Sequence, residues 1–489
     1  MTDQTMSDTA ETRGRKIVIN PVTRVEGHGK VTMHLDEAGH IEETRFHIIE
    51  FRGFERFIQG RFYWEAPVTV QRLCGICPVS HHLCAAKAMD GIVGVDTLTP
   101  TAEKIRRLAH YGQTLQSHSL HFFHLASPDL LFGFDAPVEQ RNVVGVIQAH
   151  PETAKKAVLM RKFGQEVIKA TLGKKVHGTG AIPGGVNKHM SREETDELKK
   201  QIDQIIEWSV EGLELCKQIV MADRDRLLDF GTFNANCLSI VGGDGELDLY
   251  DGTLRARDPE GNTIFDAVTA AEYDEYLREE VRPWSYMKFP FIRSLGKEDG
   301  WYRVGPLARI NNCDHIDTPI AEQQRQEFVA LGGGKPVQST MAFHWARMIE
   351  TVHSAEKIAA LLDDPDLLSG ELVKTGTRRG ESKAVIEAPR GTLIHAYKVD
   401  EDDRITGGNL IVSTTHNNEA MNRAVRRIAD QYLDGKEITE GLLNHIEVGI
   451  RAFDPCLSCA THALGKMPLH AELYDADGTL LSVKETGGT

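Results

Sequence analysis

Apolar and polar residues alternate through the opening of the chain. KIVI at 16–19, KVTMHL at 30–35 and a run ending HIIEF at 47–51 are separated by the glycine-rich loop TRVEGHG and a turn at DEAG. A period of two predicts a small antiparallel sheet with one buried face. From Thr99 the period lengthens to that of a helix. Thr99 is an N-cap, Pro100 takes the first turn where an amide hydrogen is dispensable, and Ile105, Leu108, Leu115 and Phe122 follow on one face. Two more helices are expected over 152–172 and 191–229. The second opens on the capping-box pair Ser191 and Glu194, with Leu198, Ile202, Ile205, Leu213, Cys216 and Val220 as its core face. Between them lies HGTGAIPGGV, residues 177–186, which lacks the lysine of a phosphate loop and reads as a surface for a partner.

The texture changes to strands and turns over about 230–335, with GGDG, YDGT and DPEGN as turn signals, so an inserted β-rich layer is expected there. A helix follows at 339–363, with Trp345, Ile349, Val352 and Ala359 on one side. TLIHAYKV and NLIVSTT then form a hairpin-like unit around an acidic turn, preceded by EAPRG. Helices at 418–433 and 439–452 lead to DPCLSCATH, and a last hairpin is expected around Asp477-Gly478. No repeat or low-complexity segment interrupts the pattern. The predicted class is α+β: a mainly α-helical core with small antiparallel β-sheets at its periphery. Residues 1–15 read as a disordered tail and 16–462 as one domain.

Charge narrows the partners. Lys plus Arg number 56 against 71 Asp plus Glu, a net charge of −15, so nucleic acid and anionic membrane are poor partners. No stretch approaches the ~18 apolar residues of a membrane span. The polar N-terminus ends in Arg13, Arg15 and Lys16, with too short an apolar run behind it for a signal peptide, and a cytoplasmic protein is expected.

The chemistry sits near the two ends. RLCGICPVSH, residues 72–81, and DPCLSCATH, residues 454–462, each carry a C-x-x-C pair with a histidine just downstream: Cys74, Cys77 and His81, then Cys456, Cys459 and His462. Thiolate is a soft ligand, and two such hooks brought together offer four sulfurs to one centre. A zinc ribbon places its hooks roughly 15–20 residues apart; here nearly the whole chain intervenes, so the ends of a large domain must meet to close the site. Cys84, Cys216, Cys237 and Cys313 show no pairing pattern and read as buried thiols. His118, His121 and His124 lie three apart, fan around their helix by roughly 120°, and cannot share one ion. Glu26, in TRVEGHG, is by its local sequence either a solvated loop carboxylate or a buried proton carrier.

RLCGICPVSH and DPCLSCATH, with TRVEGHG, FRGFE, SHSLHFFHLASPD and EAPRG in that order, closely resemble the large catalytic subunit of NiFe hydrogenases, from about residue 16 onward. EFRGFE, YMKFP and IRAFDPCLSCATHALG look most like the cytoplasmic bidirectional, NAD-reducing type. The homologous subunit of respiratory NADH dehydrogenase has lost these cysteines, so their presence argues for an active site. The resemblance implies that Cys74, Cys77, Cys456 and Cys459 hold nickel, with Cys77 and Cys459 bridging to an iron that carries carbon monoxide and cyanide. Ligand type alone would have suggested zinc or iron–sulfur.

Dihydrogen is apolar and a very weak acid, so its heterolysis needs a Lewis acid and an adjacent base. Cys456 is expected to be that base, and the family pattern makes Glu26 the proton relay. Arg390 would face the open side of the metals as a fixed charge, since arginine does not give up its proton near neutral pH. By the same resemblance Asp129 would hold Arg390, His81 would hydrogen-bond a bridging sulfur, and Thr414 would donate to a cyanide. Glu55, the carbonyl of Leu410 and His462 would bind magnesium.

The two electrons released have no iron–sulfur motif here to leave by, and no G-x-G-x-x-G loop is present for a dinucleotide. The family supplies partners: a small subunit with an iron–sulfur cluster, then diaphorase subunits carrying FMN and reducing NAD. Electron delivery to NADP or a deazaflavin, a dihydrogen sensor and a zinc scaffold are the alternatives. Residues 463–489 resemble a tail that a maturation endopeptidase removes after His462 once insertion factors have delivered nickel.

Overall fold

A computed structural model describes residues 16–436 and 439–461, together with the backbone of two strands, Leu469–Tyr474 and Leu480–Thr486, paired antiparallel. The N-terminal tail, His462 and the turn at Asp477-Gly478 lie outside the described residues.

The alternating N-terminal stretch forms the expected antiparallel sheet of β1 (Lys16–Ile19), β2 (Gly29–Leu35) and β3 (Ile41–Ile48), with Ile17 opposite Met33 and Val31 opposite Phe46. Val31, Met33 and Phe46 are fully buried, as a period of two requires of the core face.

The helical core follows the predicted periodicities. It comprises α1 (Pro78–Ile92), α2 (Pro100–Leu120), α3 (Pro151–Leu172), α4 (Arg192–Ala222) and α5 (Ala342–Asp363). Thr99 caps α2 through Ala102 N at 3.1 Å, and Ser191 and Glu194 complete the capping box of α4. Helices α2 and α3 approach closely because glycines face each other: a Cβ on Gly164 would lie 2.6 Å from Gly112 O. Two expectations change here. The helix foreseen over 191–229 breaks at Asp223 into α4 and a short helix Arg224–Asp229. Residues 221–226 are all exposed, so no apolar face holds the longer helix to the core. Helix α1, which the sequence reading did not foresee, starts on the first hook with Pro78 in its first turn.

The insertion carries β4 (Asn236–Val241), β5 (Thr253–Arg257) and β6 (Thr263–Val268), antiparallel to one another, while Tyr302–Arg303 joins β4 in parallel. From Pro306 the segment turns helical, at Pro306–Asn312 and Pro319–Ala330, so the strand-rich texture ends some thirty residues earlier than expected. Both helices begin on a proline, which suits the first turn as well as it suits a loop. The last sheet has three strands, β7 (Glu381–Ala388), β8 (Gly391–Val399) and β9 (Ile405–Ile411), with β8 in the middle. Ala388 pairs with Gly391, so EAPRG is the tip of the β7–β8 hairpin, with Pro389 and Arg390 as its two-residue turn. Helices α6 (Asn418–Ile428) and α7 (Glu440–Ala452) then run into the second hook.

The helices surround one large apolar core, and a second cluster, formed by α1, β7, β8 and β9, encloses all four hook cysteines. No helix among the described residues is long and apolar enough to cross a membrane.

Candidate metal centre

The first hook runs out of a short helical turn, Gln71–Leu73, into α1. Cys77 sits at the N-cap of α1, and the amides of Ile76 and Cys77 donate to Cys74 Sγ at 3.2 and 3.0 Å. The second hook leaves α7 through Asp454, whose φ of 53° is a left-handed conformation that few side chains accept. Glu26 pairs with Cys456 as an isolated parallel bridge, and Leu457 N donates to Glu26 O at 2.9 Å. Gly27 has no space for a side chain, since a Cβ would lie 2.7 Å from Ser458 N. The first loop of the chain and its last hook thus pack backbone to backbone, which the distance between them in sequence hides.

This packing gathers Cys74, Cys77, Cys456 and Cys459 into one buried group whose sulfurs all lie within 4.8 Å of each other. Cys77 Sγ is 2.9 Å and Cys456 Sγ 3.4 Å from Cys74 Sγ, and all four are free thiols. Hydrogen bonds from Cys456, Cys459 and Cys74 hold the Cys77 thiol well below its ordinary value, with His81 adding to them against burial. Burial pushes Cys456 and Cys459 well above theirs. Four sulfurs in a dry pocket cannot all shed protons unless a cation sits between them. The donor set therefore fits a soft, thiolate-bound metal. Cys84, Cys216 and Cys313 are each pushed up to about 12 by burial, as inert core thiols are.

Arg390 reaches this group from the β7–β8 turn. Arg309 holds that turn from beneath, donating to the carbonyls of Ala388 at 2.9 Å and Pro389 at 3.1 Å while pairing with Glu350 and Glu387. The Arg390 guanidinium donates through Nε to Asp454 O at 2.7 Å, through Nη2 to Asp454 Oδ1 at 3.0 Å and through Nη1 to Ser117 Oγ at 3.4 Å. Burial opposes its charge, but Asp454 and the sulfurs of Cys456, Cys77 and Cys74 outweigh burial and hold it well above the ordinary arginine value.

The expected partner of Arg390 is thereby corrected. Asp129 lies in a different ion-pair network, accepting from Arg24, from Asn444 at 3.1 Å and from Arg451 at 3.0 Å. Burial works against its charge, yet Arg451 and Arg24 keep its carboxyl below the usual range. Both aspartates are buried and lie beside arginines, and sequence order carries no record of which arginine each one faces. Asp454 was visible in DPCLSCATH, immediately before the hook; its residue type was the available signal.

The remaining predicted residues fall around the sulfurs. Glu26 is half-buried, and its Oε2 accepts from Cys456 Sγ at 3.0 Å and from Ser458 N at 3.2 Å, so it is neither a freely solvated carboxylate nor a fully buried one. His81 is buried against Cys77, and its Nδ1 lies 3.4 Å from His395 Nε2. Thr414 Oγ1 accepts from Cys456 N at 2.9 Å, which leaves its hydroxyl hydrogen for another acceptor. Glu55 is buried and accepts from Leu410 N at 3.0 Å, so two of the three expected magnesium ligands stand together. Thr461, the residue before His462, accepts from the amides of Arg52 and Gly53 beside them. His118, His121 and His124 take no part in a shared site: His118 bonds Glu350 at 2.9 Å and His121 bonds Arg451 O at 2.7 Å, on separate neighbours.

Comparison with known proteins agrees with this geometry. A family model described as nickel-dependent hydrogenase matches residues 52–136 and 246–462, and one described as HoxL-like matches 16–51. The chain is 49% identical over 482 residues to the NAD-reducing hydrogenase HoxS subunit beta of Cupriavidus necator, covering 96% of this chain and 99% of that protein. It is 27% identical over 453 residues to the sulfhydrogenase 2 subunit alpha of Pyrococcus furiosus, covering 91% of this chain and 98% of that one. The crystal structure of an NAD+-reducing NiFe hydrogenase in its dihydrogen-reduced state superposes with a TM-score of 0.91 and 55% identity, over 92% of this chain and 100% of that one.

Proposed function

The chain belongs to the nickel-dependent hydrogenase family as a catalytic large subunit, and from that premise we propose that it splits dihydrogen reversibly in a cytoplasmic assembly that reduces NAD. The observation that supports this reading most strongly is a closed set of four buried thiols with a carboxylate 3.0 Å from one of them. Cys74, Cys77, Cys456 and Cys459 would hold the nickel–iron centre, whose iron would carry carbon monoxide and cyanide. When bound, that centre supplies the electrophile and the two-electron couple that heterolysis requires.

The chain's own residues do the rest. Cys456 Sγ receives the proton of the split molecule and hands it to Glu26 Oε2, its hydrogen-bond partner. Arg390 stays protonated and serves as a fixed positive charge aimed at the sulfurs, oriented by Asp454 and Ser117. The surrounding apolar cluster keeps water out, which strengthens that charge. His81 would steady the Cys77 sulfur and Thr414 would donate to a cyanide. Glu55, Leu410 O and His462 would take magnesium.

The electrons would leave through a small subunit with an iron–sulfur cluster to diaphorase subunits bearing FMN. Residues 463–489 would be removed by a maturation endopeptidase after nickel insertion. Infrared absorption of metal-bound carbon monoxide and cyanide, nickel and iron in elemental analysis, and dihydrogen-dependent NAD reduction by the purified complex are the expected results. Zinc without nickel or iron would overturn the reading. An intact tail in the mass spectrum of active enzyme would overturn the processing step.

A further inference from the structure

The proton accepted by Glu26 must still reach solvent, and hydrogen bonds link Glu26 through Ser458 to Glu50 and His28 at the surface. Ser458 joins two carboxylates: its amide donates to Glu26 Oε2 at 3.2 Å, and its hydroxyl donates to Glu50 Oε2 at 3.1 Å. The other Glu50 oxygen is hydrogen-bonded to His28 Nδ1. Exposure rises along this line. Glu26 and Ser458 are half-buried, the Glu50 side chain is 30% exposed and that of His28 is 65% exposed. The groups come from three places in sequence, the loop after β1, the end of β3 and the second hook, and Gly27 lets them meet because any side chain there would strike Ser458 N and Oγ. On the other flank of the same loop, Asp129 is enclosed by Arg24, Arg141 and Arg451, whose guanidinium groups are poor proton carriers.

We propose that Glu50 and His28 carry the proton from Ser458 to solvent, with His28 as the port; this rests on the hydrogenase reading of the same site. The transfers balance without a further reactant. The Ser458 hydroxyl, on the residue whose amide donates to Glu26 Oε2, would turn about its side-chain bond to accept a proton from Glu26 and release its own to Glu50. Glu50 passes it to His28 Nδ1, and water takes the proton from His28 Nε2. A hydroxyl, a carboxylate and an imidazole can each both accept and donate, which a backbone amide cannot do at neutral pH. In the reverse reaction the same groups deliver protons inward.

The test uses the whole purified complex in dilute buffer, comparing the native protein with Glu50→Gln and His28→Ala. Both variants should keep native nickel and iron content and native infrared bands for metal-bound carbon monoxide and cyanide. Turnover should fall about tenfold or more in both, and added imidazole should restore the His28→Ala rate. A carboxyl band in the infrared difference between oxidised and reduced enzyme should vanish in Glu50→Gln. Native turnover in both variants, or loss that imidazole leaves unchanged in His28→Ala, would overturn the proposal. Native complex with its metals in place and no dihydrogen turnover would overturn the hydrogenase reading itself.

Discussion

The two sides of the four-sulfur group are both lined by polar and charged residues, yet they differ in burial. On the inner side Arg390, Asp454 and Arg347 are almost wholly buried, and Arg347 donates to Ala452 O at 2.9 Å. Burial lowers Arg347 to about 10, still above neutral pH, so its positive charge persists. On the outer side Glu26, Ser458, Glu50 and His28 climb from half-buried to exposed. A buried charge locked by several hydrogen bonds is worth more as a fixed field than as a proton carrier, because moving its proton would strand its partner unpaired in low dielectric. A half-exposed carboxylate can change protonation cheaply because water shares the cost. The difference teaches that solvation separates a side whose charges are locked in place from a side whose polar groups water can reach.

The comparison can be broken at its centre first. Cys77→Ala removes one of four donors, and nickel should be absent by elemental analysis with dihydrogen turnover lost entirely. On the outer side, Glu26→Gln keeps shape and removes the proposed proton carrier. Metal content should stay native while turnover falls by about 10²–10⁴-fold, and full dihydrogen oxidation in that variant would remove Glu26 from the path. On the inner side, Asp454→Asn strips the counter-charge of a buried guanidinium and should lower unfolding free energy in denaturant melts by about 3–5 kcal/mol. Asp129→Asn should leave the Arg390 contacts intact in a crystal structure of the variant, because Asp129 serves Arg24 and Arg451.

A smaller effect tests the inner network through acidity. Burial alone would raise Glu350, but Arg309 by charge and hydrogen bond, with His118, holds it at about 2 against an ordinary 4.5. Its folded value is depressed, so its contribution is present above pH 4.5 and is lost as pH falls through 2. Between those limits the native protein should lose about 3 kcal/mol that Glu350→Gln does not. Acid titration of stability for both proteins checks this. The smallest effect lies far from both sides: Ser191→Ala removes the cap of α4 and should cost about 1 kcal/mol in melts without touching turnover.

Much of this was legible beforehand, for identifiable reasons. The helices at 100–120, 151–172 and 342–363 announce themselves because periodicity and caps are local. The insertion misled beyond Pro306, because short helices that begin on proline use the residues of turns. EAPRG was placed only as preceding two strands, because a buried strand such as AVIEA lacks the alternation of a half-exposed one.

Ligand chemistry is what the amino-acid sequence determined alone. Two C-x-x-C hooks commit four soft donors wherever the chain puts them, and the motif order identified the family before any fold was seen. Partnership is what only the tertiary structure decided: Asp454 rather than Asp129 for Arg390, Ser458 between Glu26 and Glu50, Arg309 beneath the turn. Donor type is a property of a residue and survives in one dimension. A salt bridge or proton path is a property of distance and solvent exposure, and both arise only when residues such as Glu26 and Cys456, 430 positions apart, are packed together.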